Sequence, residues 1–506
     1  MGAAQAVRFI LDGREVVVEN VEPTLTVLEY LRETAGLTGT KEGCAEGDCG
    51  ACTVVLGELV RDSDSIEYRA INSCIRFLAT LDGKELVTVA ALRAYDGSLH
   101  PVQRAMVDQH ASQCGFCTPG FVMSLFALYL QREAPTRNEV VEALAGNLCR
   151  CTGYRPIIDA GCCMSSYPKP ARWSRGATVE PERVAALRKI DRAAQKLPSL
   201  KVEGFFAPRT LDEACAALAR APDSLVLAGG TDVGLWVTKH LRDLPGIVYL
   251  GDVAELATIQ SLDDGLRIGA TATIGTAWAA LVRLHPQLAE QARRFASPPI
   301  RNSATLCGNV ANGSPIGDSL PALIALGAEV ELRSGAGSGA RARRLPLEKF
   351  YFGYQKKDLK PGELVVAVVV PPQPAGVVIG SYKISKRIDQ DISAVCATFA
   401  VVVENGKVGS ARIAYGGMAA VPARARRAES ALERGGWNEA SIAAAIEALS
   451  EDFRPLNDMR ASEAYRLRAA ENLLHRFYLE NAGTPRPAAL RTHAALAAVN
   501  VSGTVP

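Results

Sequence analysis

Glu42-Gly43-Cys44-Ala45-Glu46-Gly47-Asp48-Cys49-Gly50-Ala51-Cys52 decides how the chain is read. Its three cysteines are spaced C-x4-C-x2-C, and Cys74 follows after 21 intervening residues. This is the plant-type [2Fe–2S] ligand spacing, in which a loop wraps thiolates round the cluster and a fourth cysteine arrives from elsewhere. Gly43, Gly47 and Gly50 suit such a loop, which needs positive φ and close approach of backbone N–H groups to sulfur. A structural zinc site or buried free thiols are the alternative. Zinc sites usually pair CxxC with a second CxxC or with histidine, and no histidine occurs before His100.

Ten of the thirteen cysteines lie before residue 164. Beyond the first set they include Cys114-Gly115-Phe116-Cys117 and, after 31 residues, Cys149-Arg150-Cys151. Both pairs fall where helical stretches begin or end, so two helix termini can close four thiolates round one metal centre. Spacing alone permits zinc here too. Two linked four-cysteine sets shift the weight towards iron–sulfur chemistry. Cys162, Cys163, Cys215 and Cys396 read as small hydrophobes.

Outward from the first loop, two β-branched runs at 7–10 and 15–18 flank Asp12-Gly13 and predict a hairpin. Leu25, Leu28 and Leu31 predict a helix over 24–33, and 53–56 reads as a strand. Residues 1–92 therefore read as an α+β domain. Residues 93–165 read as helical: 121–130 is strongly apolar, and Thr136-Arg137-Asn138-Glu139 has the capping-box form that opens a helix running to 146. Pro168, Pro170 and Pro181 among charged and small residues mark 166–200 as a linker. Strand-like runs at 225–227, 247–250 and 364–370 alternate with helical stretches such as 211–218, giving a mixed α/β domain over 201–375. Strands at 393–403 and 411–415, then Ala-rich helices over 423–480, make 376–485 a further α+β domain. The tail 486–506 reads as loosely ordered. The fold class is multidomain α+β.

The 506 residues carry 56 basic and 54 acidic side chains, a net charge of +2. That balance leaves no electrostatic footprint for nucleic acid or an anionic membrane. No run approaches ~18 uninterrupted apolar residues, so no membrane span is expected. The first eight residues lack a basic region ahead of an apolar core, so no secretory signal is expected, and a cytoplasmic chain with reduced thiols follows. Six histidines form no HxxxH or HxxE pair, and no GxSxG occurs, which excludes a histidine metal site and the α/β-hydrolase elbow.

Two glycine-rich segments carry the remaining chemistry. Leu225-Val226-Leu227-Ala228-Gly229-Gly230-Thr231-Asp232-Val233-Gly234 is an apolar strand entering a turn that can bring backbone N–H groups against a phosphate. It is neither GxGxxG nor a Walker A sequence. Thr305-Leu306-Cys307-Gly308-Asn309-Val310-Ala311-Asn312-Gly313-Ser314-Pro315-Ile316-Gly317-Asp318 is the second. Two such loops suit a ligand with two phosphates, and beside iron–sulfur centres the economical choice is FAD.

At this point the chain resembles the molybdenum hydroxylases, the xanthine oxidase family, over about residues 7 to 480. The resemblance rests on the 42–52 stretch, on Gln113-Cys114-Gly115-Phe116-Cys117-Thr118-Pro119-Gly120 and on Gly146-Asn147-Leu148-Cys149-Arg150-Cys151-Thr152-Gly153-Tyr154. It rests also on the AGGTD-like loop, the GN-x-x-x-x-SP-x-x-D segment and Lys386-Arg387-Ile388-Asp389-Gln390-Asp391-Ile392. It implies a β-grasp ferredoxin-like domain with one cluster on Cys44, Cys49, Cys52 and Cys74. A helical domain would hold a second on Cys114, Cys117, Cys149 and Cys151, with Gln113 near the pterin of a molybdenum cofactor. A FAD-binding domain of the vanillyl-alcohol-oxidase-like (PCMH) type and a CO-dehydrogenase-flavoprotein-like C-terminal domain would follow.

Carried over by position, the flavin contacts are Val226, Leu227, Ala228, Gly229, Gly230, Thr231, Asp232 and Val233 on the pyrophosphate, then Phe295, Ala296, Thr305, Leu306, Cys307, Gly308 and Asn309. Asp318 would accept from ribityl or adenosine hydroxyls, Val365 would line the site and Lys383 would offer positive charge. Phe350-Tyr351-Phe352-Gly353-Tyr354 resembles the stretch beside the nicotinamide face of the flavin. The resemblance stops where a large molybdopterin domain would begin. It therefore implies the small subunit of a split, bacterial-type xanthine dehydrogenase, with a molybdopterin-binding large subunit as partner in a two-plus-two heterotetramer, NAD⁺ as acceptor, and no residue of its own acting on the purine. The same relay in an aldehyde or N-heterocycle hydroxylase, a stand-alone flavin–iron–sulfur reductase, and a zinc-binding scaffold are the other expectations.

Overall fold

The computed structural model describes residues 6–60 and 63–482; the expected loose tail lies outside them. The chain forms two compact units, Met1–Glu255 with Ala296–Ala304, and Leu256–Phe295 with Thr305–Pro506.

The first unit is organised by a five-stranded sheet in the order Arg14–Val18, Val7–Leu11, Glu85–Val87, Thr53–Leu59, Ile66–Asn72. The predicted hairpin forms, and Asp12 (φ 54°) and Gly13 (φ 85°) supply the paired positive φ of its two-residue turn. Alternation along the strands gives the sheet two buried faces. Phe9, Val54 and Leu56 share a core with Leu200, Phe205 and Tyr249 of a second, four-stranded sheet, while Ile10 and Val55 share one with the helices that follow. The helix expected over 24–33 starts later, at Val27, capped by Thr26, and opens into a wider π turn over Tyr30–Thr34. Leu25 is unavailable to it because its carbonyl accepts the N–H of Leu78.

Four helices, Pro101–Asp108, Thr118–Gln131, Arg137–Ala143 and Arg155–Cys163, make the helical part. Thr118–Gln131 is buried from Gly120 to Leu130, as its unbroken apolar run requires. Thr136 and Glu139 close the predicted capping box. That helix ends at Ala143 rather than 146, which frees Asn147 to reach the first cysteine loop.

The segment 166–200, expected as a linker, is packed. It carries a helix, Pro181–Ile190, and buries Trp173, Val184, Leu187 and Ile190 in the core shared by sheet and helices. Trp173 Nε1 donates to Ala91 O at 3.1 Å, and Arg183 lies 3.6 Å over the Trp173 ring while pairing with buried Glu85 at 3.3 Å. Proline and charge mimic a solvated spacer in sequence; one indole and one guanidinium convert it into a strap.

Buried His100 secures that strap from the other side. Its Nδ1 accepts the Val102 N–H at 3.3 Å, so Nε2 carries the proton donated to Trp173 O at 3.1 Å. Burial, with Arg175 adding to it, holds the imidazole down to about 4 against an ordinary 6.5. The folded form is then neutral while the unfolded chain takes up a proton below 6.5, so stability is full above that pH and falls as pH drops towards 4. The loss reaches about 3 kcal/mol. Unfolding midpoints measured from pH 7 to 4 should show this slope, and His100→Gln should flatten it; an unaltered slope in the variant would remove His100 from the explanation.

The second unit holds an antiparallel five-stranded sheet in the order Ile259–Leu262, Gly265–Gly269, Leu364–Val370, Glu329–Ser334, Arg341–Pro346. Leu364–Val370 is buried throughout, consistent with its unbroken Val-rich sequence at the centre of the sheet. A four-stranded sheet of Val377–Ile384, Val395–Glu404, Lys407–Gly416 and Ala423–Arg424 is covered by the helices Arg426–Gly435, Glu439–Asp452 and Glu463–Asn481. No helix among the described residues is long and apolar enough to cross a membrane.

Candidate functional site

The loop 43–52 is built for sulfur. Backbone N–H groups of Glu46, Asp48 and Cys49 all donate to Cys44 Sγ at 3.3–3.4 Å. Gly43 is required because a Cβ there would stand 2.7 Å from Cys49 Sγ. Gly47 and Gly50 take φ of +79° and +70°. Cys74 arrives on a single 3₁₀ turn after the strand Ile66–Asn72, and its Sγ lies 3.2 Å from that of Cys52, both buried.

The thiols of each set fall into pairs. Cys44 bonds Cys49, Cys52 bonds Cys74, Cys114 lies 3.6 Å from Cys151, and Cys117 bonds Cys149. The hydrogen bond from Cys49, helped by the three backbone N–H groups, holds Cys44 down to about 5, and the bond from Cys74 lowers Cys52. At Cys149 burial opposes ionisation, but the Thr152 hydroxyl (3.2 Å) and N–H (3.5 Å) outweigh it and hold the thiol below its ordinary value. Among the described residues no group of three or more His, Cys, Asp or Glu is arranged to hold a single metal ion. Two pairs of thiols suit a centre with two irons, each taking two thiolates, so the residues fit a [2Fe–2S] cluster better than one zinc. All thirteen cysteines are free of disulfides.

The AGGTD loop lies in the same unit as both cysteine sets. Leu225–Leu227 leads through Gly230 (φ +74°) into the short helix Val233–Thr238. A Cβ on Gly229 would lie 2.2 Å from Ser303 O, and one on Gly234 2.5 Å from Ile75 O, the residue after Cys74. Thr238 Oγ1 donates to Ala45 O at 2.7 Å. The candidate flavin loop therefore packs directly on the first cysteine loop. Ala296, with φ 49°, belongs to this unit as well.

In the second unit Thr305 caps the helix Leu306–Asn312 by accepting the Gly308 N–H. Asn309 Oδ1 is buried without a hydrogen-bond partner, an orphaned acceptor of the kind a ligand hydroxyl or amide satisfies. Cys307 and Val365 are buried, and Phe295 packs beside Trp278. The orphaned Asn309 acceptor fits a cofactor that carries hydroxyl or amide donors, as a flavin dinucleotide does. Asp318 and Lys383 form one buried ion pair at 2.7 Å, so the lysine charge is set against the carboxylate. Asp318 Oδ2 takes the Lys383 ammonium and Oδ1 the Ser393 hydroxyl at 2.6 Å, while Lys383 Nζ also donates to Arg294 O.

Gln113, Cys114, Phe116, Leu148 and Cys151 are exposed, so the second cysteine set opens to solvent on one side. Sequence reading missed Asn147, Trp173 and Gln291. Asn147 stands in a quoted motif without a role, and Gln291, which donates to Asp318 O at 2.6 Å, has no local pattern to mark it.

Family descriptions match four consecutive segments. They are a 2Fe-2S iron-sulfur cluster binding domain at 9–78, a [2Fe-2S] binding domain at 88–162, the FAD binding domain in molybdopterin dehydrogenase at 200–373, and the CO dehydrogenase flavoprotein C-terminal domain at 380–481. Xanthine dehydrogenase of Emericella nidulans is 32% identical over 93% of this chain and 38% of its own length. Xanthine dehydrogenase/oxidase of Gallus gallus is 30% identical over 85% of this chain and 36% of its own. The chain thus spans less than two fifths of these relatives. A solved carbon monoxide dehydrogenase chain from Hydrogenophaga pseudoflava is 26% identical, with a TM-score of 0.50, over 54% of this chain and 94% of that one.

Proposed function

We infer the function of this chain from its membership of the molybdenum hydroxylases, to which it belongs as the portion with two [2Fe–2S] domains, a FAD-binding domain and a flavoprotein C-terminal domain. It is an electron-transfer oxidoreductase component of that family. Our finer reading makes it the small subunit of a cytoplasmic xanthine dehydrogenase, assembled two-plus-two with a separate molybdopterin-binding subunit. The relay would run from that subunit to the Cys114/Cys117/Cys149/Cys151 site, then to the Cys44/Cys49/Cys52/Cys74 site, then to FAD and NAD⁺ while xanthine becomes urate. Bound there, clusters pass single electrons and FAD holds two, which couples single-electron arrivals to hydride delivery.

The observation that carries this reading is the pairing of thiols in two sets that share one packed unit with the AGGTD loop. The chain's residues do the rest. Three N–H groups stabilise the negative charge on Cys44, and burial shields Cys52 and Cys74 from water. The exposed Phe116, Leu148 and Cys151 leave the second site open towards a partner carrying the pterin, with Gln113 beside it. Exposed Phe352 and Tyr354 in the other unit suit a nicotinamide ring. Xanthine as substrate is supported by the names of the relatives aligned over most of the chain. The likeness to a carbon monoxide dehydrogenase favours a second reading, the same relay serving another substrate chosen by the partner.

Purification of the protein with whatever it binds, followed by metal and flavin analysis and EPR after dithionite reduction, tests the reading. Two distinguishable [2Fe–2S] signals, about four irons and one FAD per chain are expected. Zinc without iron would end the reading, and reduction by NADH with no molybdenum partner would convert it to a stand-alone reductase. Urate formation with NAD⁺ separates xanthine from other substrates.

A further inference from the structure

We propose that Asn147 is a positioning residue that sets the separation of the two cluster sites, an inference that rests on the relay reading above. Asn147 is 3% exposed and stands two residues before Cys149. Its Oδ1 accepts from Ser124 Oγ at 2.6 Å, on the buried helix Thr118–Gln131. Its Nδ2 donates to Gly50 O at 3.1 Å, on the loop of the other set, and reaches Thr53 Oγ1 at 3.4 Å, on the first residue of the strand that follows. The next N–H, of Leu148, donates to Cys49 O at 2.9 Å. One hydrogen bond and one peptide link therefore join Cys49 of the first set to Cys149 of the second.

The backbones meet because glycine lets them. A Cβ on Gly50 would lie 2.1 Å from Gly146 O, and one on Gly120 would lie 2.1 Å from Gly50 O. Glycine permits this approach but cannot hold it, having no side chain to bond across the junction. The Asn147 amide supplies that bond, and only a group with donor and acceptor together serves: Ser124 gives a proton and Gly50 takes one. Aspartate keeps the acceptor and loses the donor. Leucine fills the volume but leaves the buried Ser124 hydroxyl without its acceptor, and it takes from the Gly50 carbonyl the one donor that crosses the junction, leaving it only the Thr53 hydroxyl and N–H of its own segment. With clusters held by the two cysteine sets, one electron would leave the reduced second cluster and reduce the oxidised first, with no bond formed or broken and no proton moved. The rate of that transfer is governed by separation and contact, which this junction sets.

The test is low-temperature EPR of the dithionite-reduced protein as purified with its partner, because two reduced clusters held at fixed separation split each other's signals. The native protein is expected to show that splitting. Asn147→Leu should retain both signals and full iron while the splitting narrows or disappears and electron exchange between the sites slows. Where Asn147→Leu loses a cluster, Ser124→Ala decides, since it removes only the hydroxyl that orients the amide and should narrow the splitting in the same direction. Splitting that survives these substitutions with both clusters intact, or two native signals that never interact, overturns the positioning role alone. A native protein with a single [2Fe–2S] signal overturns the relay reading with it.

Discussion

Cys149→Ser should remove one of two [2Fe–2S] EPR signals from the reduced protein, leave the other, and lower iron from about four to about two per chain. The loss should be confined because the backbone at this position is held independently of its sulfur. The Cys149 N–H donates to Tyr154 Oη at 3.0 Å, and the Leu148 N–H before it donates to Cys49 O. What disappears is the thiolate that Thr152 stabilises and the partner of Cys117. Reduction of flavin by the molybdenum partner should fall more than about a hundredfold, since losing a ligand exceeds the 10–100-fold cost typical of its supporting residues. Direct reduction of the remaining cluster by dithionite should continue. Persistence of both signals would show that the ligand set is wrong, and loss of both would show that the sites are not separate.

The second large effect concerns stability. Lys383→Ala should destabilise the unit formed by Leu256–Phe295 with Thr305–Pro506 by about 3–5 kcal/mol, because it strands the buried Asp318 carboxylate. The side chains of Lys383 and Asp318 are 2% and 6% exposed, so water cannot replace the lost ammonium. The double change Lys383→Met with Asp318→Asn, which buries no charge, should recover most of the loss. Denaturant unfolding of the two variants and the native protein measures this. A cost below about 1 kcal/mol for the single change would mean that the pair is hydrated and free to serve a ligand. The pairing is not legible locally, because the partner of Lys383 lies 65 residues earlier in the chain.

Legibility follows the range of the interaction. The first cysteine loop is written in a few residues whose spacing and glycines are the fold of the loop itself, so ligands and backbone can be read together. Hairpin and capping box are equally local, and both form as expected. The strap over 166–200 was misread because its prolines and charges are those of a spacer, and only burial of Trp173 against His100 and Arg183 reveals otherwise. The helix opening at Val27 rather than 24 was displaced by a bond between Leu25 and Leu78 that no periodicity contains.

The sequence by itself determined which thiols are spaced as metal ligands and in how many sets, because thiol spacing and glycine placement are short-range chemistry. It also determined the α+β class and the order of the cluster and flavin segments along the chain. Only the tertiary structure decided that the thiols stand in pairs, that Asn147 ties one set to the other, and that Asp318 and Lys383 neutralise each other. Those outcomes depend on groups tens of residues apart meeting where water is excluded, and there an unmet charge or hydrogen bond is costly.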